Sequence, residues 1–217
     1  MLSVKSKYIK ESVLEQLLGH CHKRRYNSKE NIIQPGDAAD RLFFIVEGSV
    51  SVCVVDDAEH EIVLAYLSKG DFIGEVGVFT ELDARNVLVK TREPSQLAEI
   101  GYTKLQQLLE GELKNCANEI LLGLGEQLAE RLLATSRKVG QLAFLDVTGR
   151  IARTLTDLCK EPDAMTHPDG MQIRVTRQEL GRIVGCSREM AGRVLKNLEI
   201  DGLLTAKGKT VVVFGTR

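Results

Sequence analysis

The chain has 217 residues, enough for two small domains, with a formal charge of −1 and an ordinary 43% hydrophobic content. The charge is uneven: residues 144–217 hold 12 Lys+Arg and 9 Asp+Glu, net +3, a modest basic bias that fits a polyanionic partner. Five widely spaced cysteines without a CxxC point to reduced thiols in the cytoplasm rather than to a disulfide framework. The start, MLSVKSKYIKESVLEQLLGH, is too charged for a signal peptide, and no apolar run approaches a membrane span.

Residues 7–20 read as a short amphipathic helix, with Ile9, Val13, Leu14, Leu17 and Leu18 on one face. His20 and His22 follow within HCHKRRY. An HxH can be half a metal site. Here three basic residues follow it and the next carboxylate is Glu30, so a solvated basic corner is expected. From Asn31 to Tyr102 the pattern changes to short β-branched and aromatic runs, LFFIVEG, SVSVCVV, EIVLAYL and AEIGY. The turn clusters QPGDAAD, DDAEHE and SKGD separate them, which suggests a β-sandwich or jelly roll.

Within the strands lies GDFIGEVGVFTELDARN, residues 70–86. Gly70, Gly74 and Gly77 let backbone N–H groups approach an anion without Cβ hindrance. Arg85 offers a planar fork for phosphate oxygens. Glu75 would repel a phosphate but can accept from a ribose hydroxyl. Taken singly, such glycines mark bulges and such charges form surface pairs.

TKLQQLLEG, residues 103–111, returns to helical spacing. Residues 116–144 then contain no proline and read as one long helix. Leu121, Leu124, Leu128, Thr135, Val139 and Leu142 fall near a three-four repeat, with Arg131 in the vacant slot, which predicts the seam of a two-stranded coiled coil. Arg131, Thr135 and Ser136 make that seam polar, either to set register or because a polar group sits against it.

LDVTGRIARTLTDLC reads as an amphipathic helix with Val147, Ile151, Leu155 and Leu158 on one face. EPDAMTHPDG reads as an exposed loop. In TRQELGRIVGCSREMAGRVLKNLEIDGLL, Thr176 is an N-cap with Glu179 at the capping-box position, Gly185 stops the first helix and Ser187 caps the second. Two helices across a glycine turn make a helix-turn-helix. The second opens with Arg188 and Glu189, and Arg193 lies one turn on. Arginine suits guanine O6/N7 and glutamate suits cytosine N4 in the major groove of double-stranded DNA. KGKTVVVFG reads as a strand–turn–strand wing.

Ile73-Gly74-Glu75-Val76-Gly77-Val78-Phe79, five residues, then Arg85-Asn86 resembles the phosphate-binding cassette of the cyclic-AMP receptor protein family, the catabolite activators. The family's run is F-G-E-L-G-L-F, five residues, then R-S, so Asn86 replaces its serine. The likeness continues almost unbroken from Lys138 to Arg217 and is strongest to the virulence-factor-regulator branch. It implies an α+β chain: an N-terminal β jelly-roll cyclic-nucleotide-binding domain over 1–116, a coiled-coil dimerisation helix and hinge over 117–143, and a C-terminal winged helix-turn-helix domain over 144–217.

By the same resemblance cyclic AMP is the allosteric ligand. Gly74 belongs to the cassette, Glu75 holds the ribose 2′-hydroxyl, and Arg85 with Asn86 meets the phosphate. Arg131 lies near the ligand, Thr135 reaches the adenine, and Ser136 reaches it from the partner subunit. Arg188, Glu189 and Arg193 read bases of a palindromic operator with TGTGA half-sites, while Thr176, Arg177, Gln178 and Ser187 hold phosphates. RNA polymerase is met through a loop over 164–172, including Thr166, His167 and Gly170, and through His22, Arg24 and Lys104. The expected protein is a cytoplasmic homodimeric regulator, without membrane attachment. Two rivals differ from this reading. The same fold could answer another cyclic nucleotide or dinucleotide, or none. A metal-dependent barrel enzyme would need histidines and carboxylates clustered inside the barrel, where the sequence offers only His60 in a charged turn. No catalytic triad or paired-acid motif is visible, so an enzyme is not expected.

Overall fold

The computed structural model describes residues 6–57, 59–161 and 163–216. Met1–Lys5 of the charged start, Ala58 of the DDAEHE turn, Pro162 of EPDAMTHPDG and Arg217 lie outside the described residues. The chain forms two units, one built from the residues up to Glu59 with Leu64–Thr135, the other from His60–Val63 with Ser136 onward.

The first unit starts with helix α1 (Glu11–Gly19) and strands β1 (His22–Tyr26), β2 (Asn31–Ile33), β3 (Arg41–Glu47) and β4 (Ser49–Val55). Strands β5 (Glu61–Ser68) and β6 (Phe72–Ile73), the one-turn helix α2 (Val76–Phe79), and strands β7 (Leu88–Thr91) and β8 (Ser95–Gly101) follow. Helices α3 (Tyr102–Glu110) and α4 (Ala117–Phe144) come next, α4 belonging to this unit up to Thr135. The eight strands form two four-stranded sheets, β1-β8-β3-β6 and β2-β7-β4-β5, the double-sheet arrangement of a jelly roll. Strand β3 shows why the sheets sit as they do. Its alternate residues Leu42, Phe44 and Val46 pack with Leu14, Leu17, Leu105, Leu108, Ile120 and Leu124 of the helices. Phe43 and Ile45 point the other way, into the barrel core of Ile33, Val50, Ile73, Val89 and Leu97. A strand's period of two supplies both faces.

Three expectations differ from the structure. The predicted helix over 7–20 begins only at Glu11, and Tyr8 and Ile9 lie before it as a strap against α4. The Lys10 backbone N–H donates to Glu119 Oε1 (2.9 Å), Tyr8 OH donates to Glu130 Oε2 (2.9 Å), and Ile9 is buried. Gly123 permits this, since a Cβ there would stand 2.7 Å from the Tyr8 carbonyl oxygen. Burial of the Tyr8 phenol beside Glu130 raises its pKa.

The second correction concerns the seam on α4. Leu124 is fully buried in the core of its own unit, and Arg131 is engaged by the cassette, so neither belongs to an open seam. At about 100° per residue, α4 has three distinct faces. Ile120, Leu124, Gln127 and Arg131 meet the barrel, and Glu119, Gly123 and Glu130 meet the strap. The third face carries Leu122, Gly125, Ala129, Leu132, Ser136 and Val139, in strict three-four alternation; Leu122, Leu132 and Val139 are exposed by 73%, 68% and 59%. The apolar repeat read from sequence mixed the first face with the third, because leucines occupy both.

The second unit contains α5 (Val147–Leu158), β9 (Met165–His167), β10 (Gly170–Arg174), α6 (Arg177–Val184), α7 (Arg188–Ile200), β11 (Leu204–Lys207) and β12 (Thr210–Phe214). Its four strands form one sheet in the order β11-β12-β10-β9. Ile151, Leu155, Ile173, Leu180, Ala191, Leu195 and Val211 build its core. The stretch expected to be a loop is instead partly a hairpin: His167 pairs with Gly170 and Met165 with Gln172 across Pro168-Asp169. The tight turn uses the proline, and β12 supplies the pairing that the sequence pattern of this stretch does not advertise.

Candidate functional site

The cassette follows the short edge strand β6. Gly74 has φ +87°, and a Cβ there would meet the Arg41 carbonyl at 2.7 Å and Arg85 Nη1 at 2.9 Å, so only glycine fits. Gly77 is needed for a different reason, because a Cβ would strike the Tyr102 ring and hydroxyl. Glu75 and Arg85 are buried, with 2% and 8% exposure. Glu75 Oε1 accepts from Arg131 Nη1, and Arg131 Nη2 donates to the Phe72 carbonyl (2.6 Å). Arg85 Nη2 donates to the Arg41 carbonyl (2.5 Å), and its guanidinium lies 5.7 Å from the Tyr102 ring centroid. Tyr102 OH donates to the Gly74 carbonyl (2.6 Å), and burial raises its pKa against the lowering effect of Arg85.

These groups open onto a cavity of about 330 Å³. Ile33, Val52, Ala65, Ile73, Val87 and Val89 form an apolar wall, and Gly74, Glu75, Arg85, Asn86, Arg131 and Thr135 supply the polar groups. Six of the seven expected ligand residues thus meet at one cavity. Ser136, the seventh, is exposed on the third face of α4. Two guanidinium groups and one carboxylate leave the wall with a net positive charge, suited to an anion carrying an apolar ring. Sequence reasoning missed Tyr102 and Gln127. A tyrosine opening a helix carries no signal, but Gln127 could have been found as the one amide in the buried stripe of α4.

In the second unit Thr176 Oγ1 accepts from Glu179 N (3.0 Å) and Ser187 Oγ accepts from Met190 N (3.1 Å), so both caps form. Gly185 ends α6 in the left-handed conformation, φ +70°. Arg188, Glu189 and Arg193 lie exposed on α7, opposite the buried Ala191, Val194, Leu195 and Leu198. With Arg177 and Lys196 they line one concave face, and Gln178 is exposed at the start of α6. Lys196, without a base-reading signature of its own in the sequence, lies on the same helical stripe one turn beyond Arg193. Gly181 sets the crossing of α6 over the turn, since a Cβ there would come within 2.6 Å of the Cys186 carbonyl. Gly181→Ala is therefore expected to cost about 1–3 kcal/mol of this unit's stability through overpacking. A thermal melt should record it as a loss of about 4–8 °C per kcal/mol.

The remaining expected positions are scattered over surface strands and helices. His22 and Arg24 are exposed on β1, Arg24 lies over Tyr26 at 5.0 Å, and Lys104 is exposed on α3. Thr166 is exposed on β9, and His167 Nδ1 lies 3.6 Å from Asp169 Oδ2. Gly170 is buried, and a Cβ there would collide with the Val213 carbonyl, so packing alone explains that glycine. Among the described residues no group of three or more His, Cys, Asp or Glu could hold a metal ion, and no helix is long and apolar enough to cross a membrane. Burial raises the pKa of the Cys21 thiol to about 11 and shifts Cys159 and Cys186 upward, which keeps these thiols protonated near neutrality.

Residues 23–112 match the cyclic nucleotide-binding domain family, and residues 173–204 match the bacterial regulatory proteins of the crp family. A ligand domain of that kind joined to a helix-turn-helix defines a cyclic-nucleotide-responsive transcription regulator, not an enzyme. The chain is 56% identical to the cAMP-activated global transcriptional regulator Vfr of Pseudomonas aeruginosa, over 94% of both chains. It is 55% identical to the CRP-like protein Clp of Xanthomonas euvesicatoria pv. vesicatoria, over 94% of this chain and 89% of that one. The solved structure of CLP, described as the c-di-GMP-responsive global regulator of Xanthomonas campestris, is 54% identical with a TM-score of 0.91, covering 95% of this chain and 100% of that chain. The chain belongs to the Crp family of bacterial transcription regulators.

Proposed function

We propose that this protein is a cytoplasmic homodimer that binds cyclic AMP in the barrel cavity and then reads a palindromic operator with TGTGA-type half-sites. The observation that carries the reading is the convergence of Glu75, Arg85, Asn86, Arg131 and Thr135 on one apolar-walled cavity. Its volume of about 330 Å³ is near the low end for small-molecule sites, which suits a mononucleotide better than a dinucleotide of twice the size. Its charge favours a monoanion. In this reading Glu75 accepts from the ribose 2′-hydroxyl, Arg85 and Asn86 meet the cyclic phosphate, and Arg131 and Thr135 approach from α4. The partner copy lies along the open stripe from Leu122 to Val139, which brings Ser136 toward the partner's cavity.

The domains in this reading are 1–116 for the nucleotide, 117–143 for the dimer helix and hinge, and 144–217 for DNA. Arg188, Glu189 and Arg193 read bases, and Thr176, Arg177, Gln178 and Ser187 hold phosphates. RNA polymerase would meet the hairpin carrying Thr166, His167 and Gly170, and the patch of His22, Arg24 and Lys104. A second reading, a cyclic dinucleotide ligand, is favoured by the 54% identity to CLP, described as c-di-GMP-responsive. Calorimetry with cyclic AMP, cyclic GMP and cyclic di-GMP, paired with a gel shift on a TGTGA palindrome, decides between them.

Asn86 gives a finer test. A serine hydroxyl and an asparagine amide can both donate to a phosphate oxygen. A neutral hydrogen bond contributes only about 0.5–1.5 kcal/mol net, less than the charge-assisted contact from Arg85. Asn86→Ser is expected to shift the cyclic-AMP dissociation constant by no more than about tenfold, and Asn86→Leu to weaken binding further. Recovery of cyclic-AMP binding only in Asn86→Ser would move the reading with a different ligand, or none, ahead.

A further inference from the structure

Gln127 is the one amide on the barrel-facing stripe of α4, between Leu124 and Arg131, with only 1% exposure. Its partner is the backbone of a single residue. The Phe72 N–H donates to Gln127 Oε1 (2.8 Å), and Gln127 Nε2 donates to the Phe72 carbonyl (3.0 Å). Phe72 lies on β6, which pairs with β3 through Phe44 and stands at the edge of its sheet. The carboxamide therefore completes that edge as a neighbouring strand would, using a donor and an acceptor at once. One turn further along α4, Arg131 donates to the same Phe72 carbonyl and holds Glu75 with its other nitrogen. Two successive turns of α4 thus grip the two ends of Phe72–Glu75, the segment that leads into the cassette.

We propose that Gln127 is a positioning residue that couples nucleotide occupancy of the cassette to α4. The inference rests on the cyclic-nucleotide-responsive reading, but not on which nucleotide is bound. A ligand hydroxyl that engages Glu75 must compete with or share the Arg131 contact. Gln127 keeps the preceding turn fixed on Phe72 while this happens. A change at Arg131 is then delivered as a movement of α4 about a fixed point and not lost as slippage along β6. The cavity wall takes Arg131, Ala134 and Thr135 from α4, and Gln127 lies one turn before them. Its replacement should spare ligand contacts and damage their consequence.

The test uses the full chain, a fluorescent TGTGA palindrome, and saturating cyclic AMP or cyclic di-GMP. Gln127→Met keeps length and volume but loses the amide, and Gln127→Glu keeps the shape but loses the donor when ionised. Both variants should bind nucleotide within about threefold of wild type, while the nucleotide-dependent gain in DNA affinity falls by about tenfold or more. A purely structural role predicts a lower melting temperature with that gain intact, and this result overturns the proposal. So does a loss of nucleotide affinity that matches the loss of response. A wild-type protein whose DNA affinity ignores both nucleotides overturns the functional reading itself, and this inference with it. If neither variant folds, hydrogen exchange on wild type decides. The Phe72 amide, held by Gln127, should keep its exchange rate when nucleotide binds while the Glu75 amide changes its own, and a loss of Phe72 protection or an unchanged Glu75 overturns the proposal.

Discussion

Arg85→Leu is expected to abolish cyclic-nucleotide binding while leaving a folded protein. Arg85 is 8% exposed, and its guanidinium's partners are the Arg41 carbonyl and the Tyr102 ring. A phosphate placed at this wall exchanges water for that fork. Truncating one member of a buried, hydrogen-bonded charge pair costs about 2–5 kcal/mol, which is about 30- to several-thousand-fold in affinity. Leucine restores apolar volume but leaves the phosphate without a countercharge. It also leaves the Arg41 carbonyl without this donor, so some loss of melting temperature should accompany the change. The size of the protein on a column should not alter, because the open stripe of α4 is untouched. Arg85→Lys should be intermediate, keeping the charge without the planar fork. Calorimetry on the three proteins is the measurement. An Arg85→Leu protein with wild-type affinity would remove the cassette from the binding site.

Different parts of this protein were legible for different physical reasons. The helix-turn-helix was clear from sequence because its structure is local: Thr176 and Ser187 cap their own helices, and Gly185 ends α6 with a positive φ. The long helix was clear in extent but not in orientation. Its residues serve three faces, and a leucine pattern does not say which neighbour each leucine meets. Strand β1 escaped notice because its burial runs exposed at four of five residues, so no alternation marks it. Only pairing with β8, more than seventy residues later in the chain, makes it a strand. The cassette residues could be read as chemistry, but their bracing could not. Tyr102 behind Arg85 and Gln127 against Phe72 act through contacts with residues 28 and 55 positions away. No local pattern encodes such contacts.

Arg188→Ala is expected to weaken specific DNA binding more than any other single change in the head. Arg188 is the first residue of α7, just after the Ser187 cap, and is exposed beside Glu189 and Arg193. The N-terminal residues of a recognition helix are the ones that reach base edges. An arginine bidentate to guanine O6 and N7 contributes about 1–3 kcal/mol of discrimination, about 5- to 150-fold for each half-site. In the proposed dimer on a palindrome two such contacts form, so the loss should be felt twice. Fold and nucleotide affinity should be unaffected, because Arg188 contributes no side chain to the buried core of its unit. The neighbouring Lys196 on the same concave face serves as the control. As a phosphate contact its removal would weaken all sequences about equally and reduce the salt dependence of binding. Arg188→Ala should instead relax the preference at one guanine of each half-site. Selection from random DNA with wild type and Arg188→Ala reads this difference directly. A wild-type consensus without a TGTGA-type half-site would show that the base-reading roles of Arg188, Glu189 and Arg193 do not transfer to this chain.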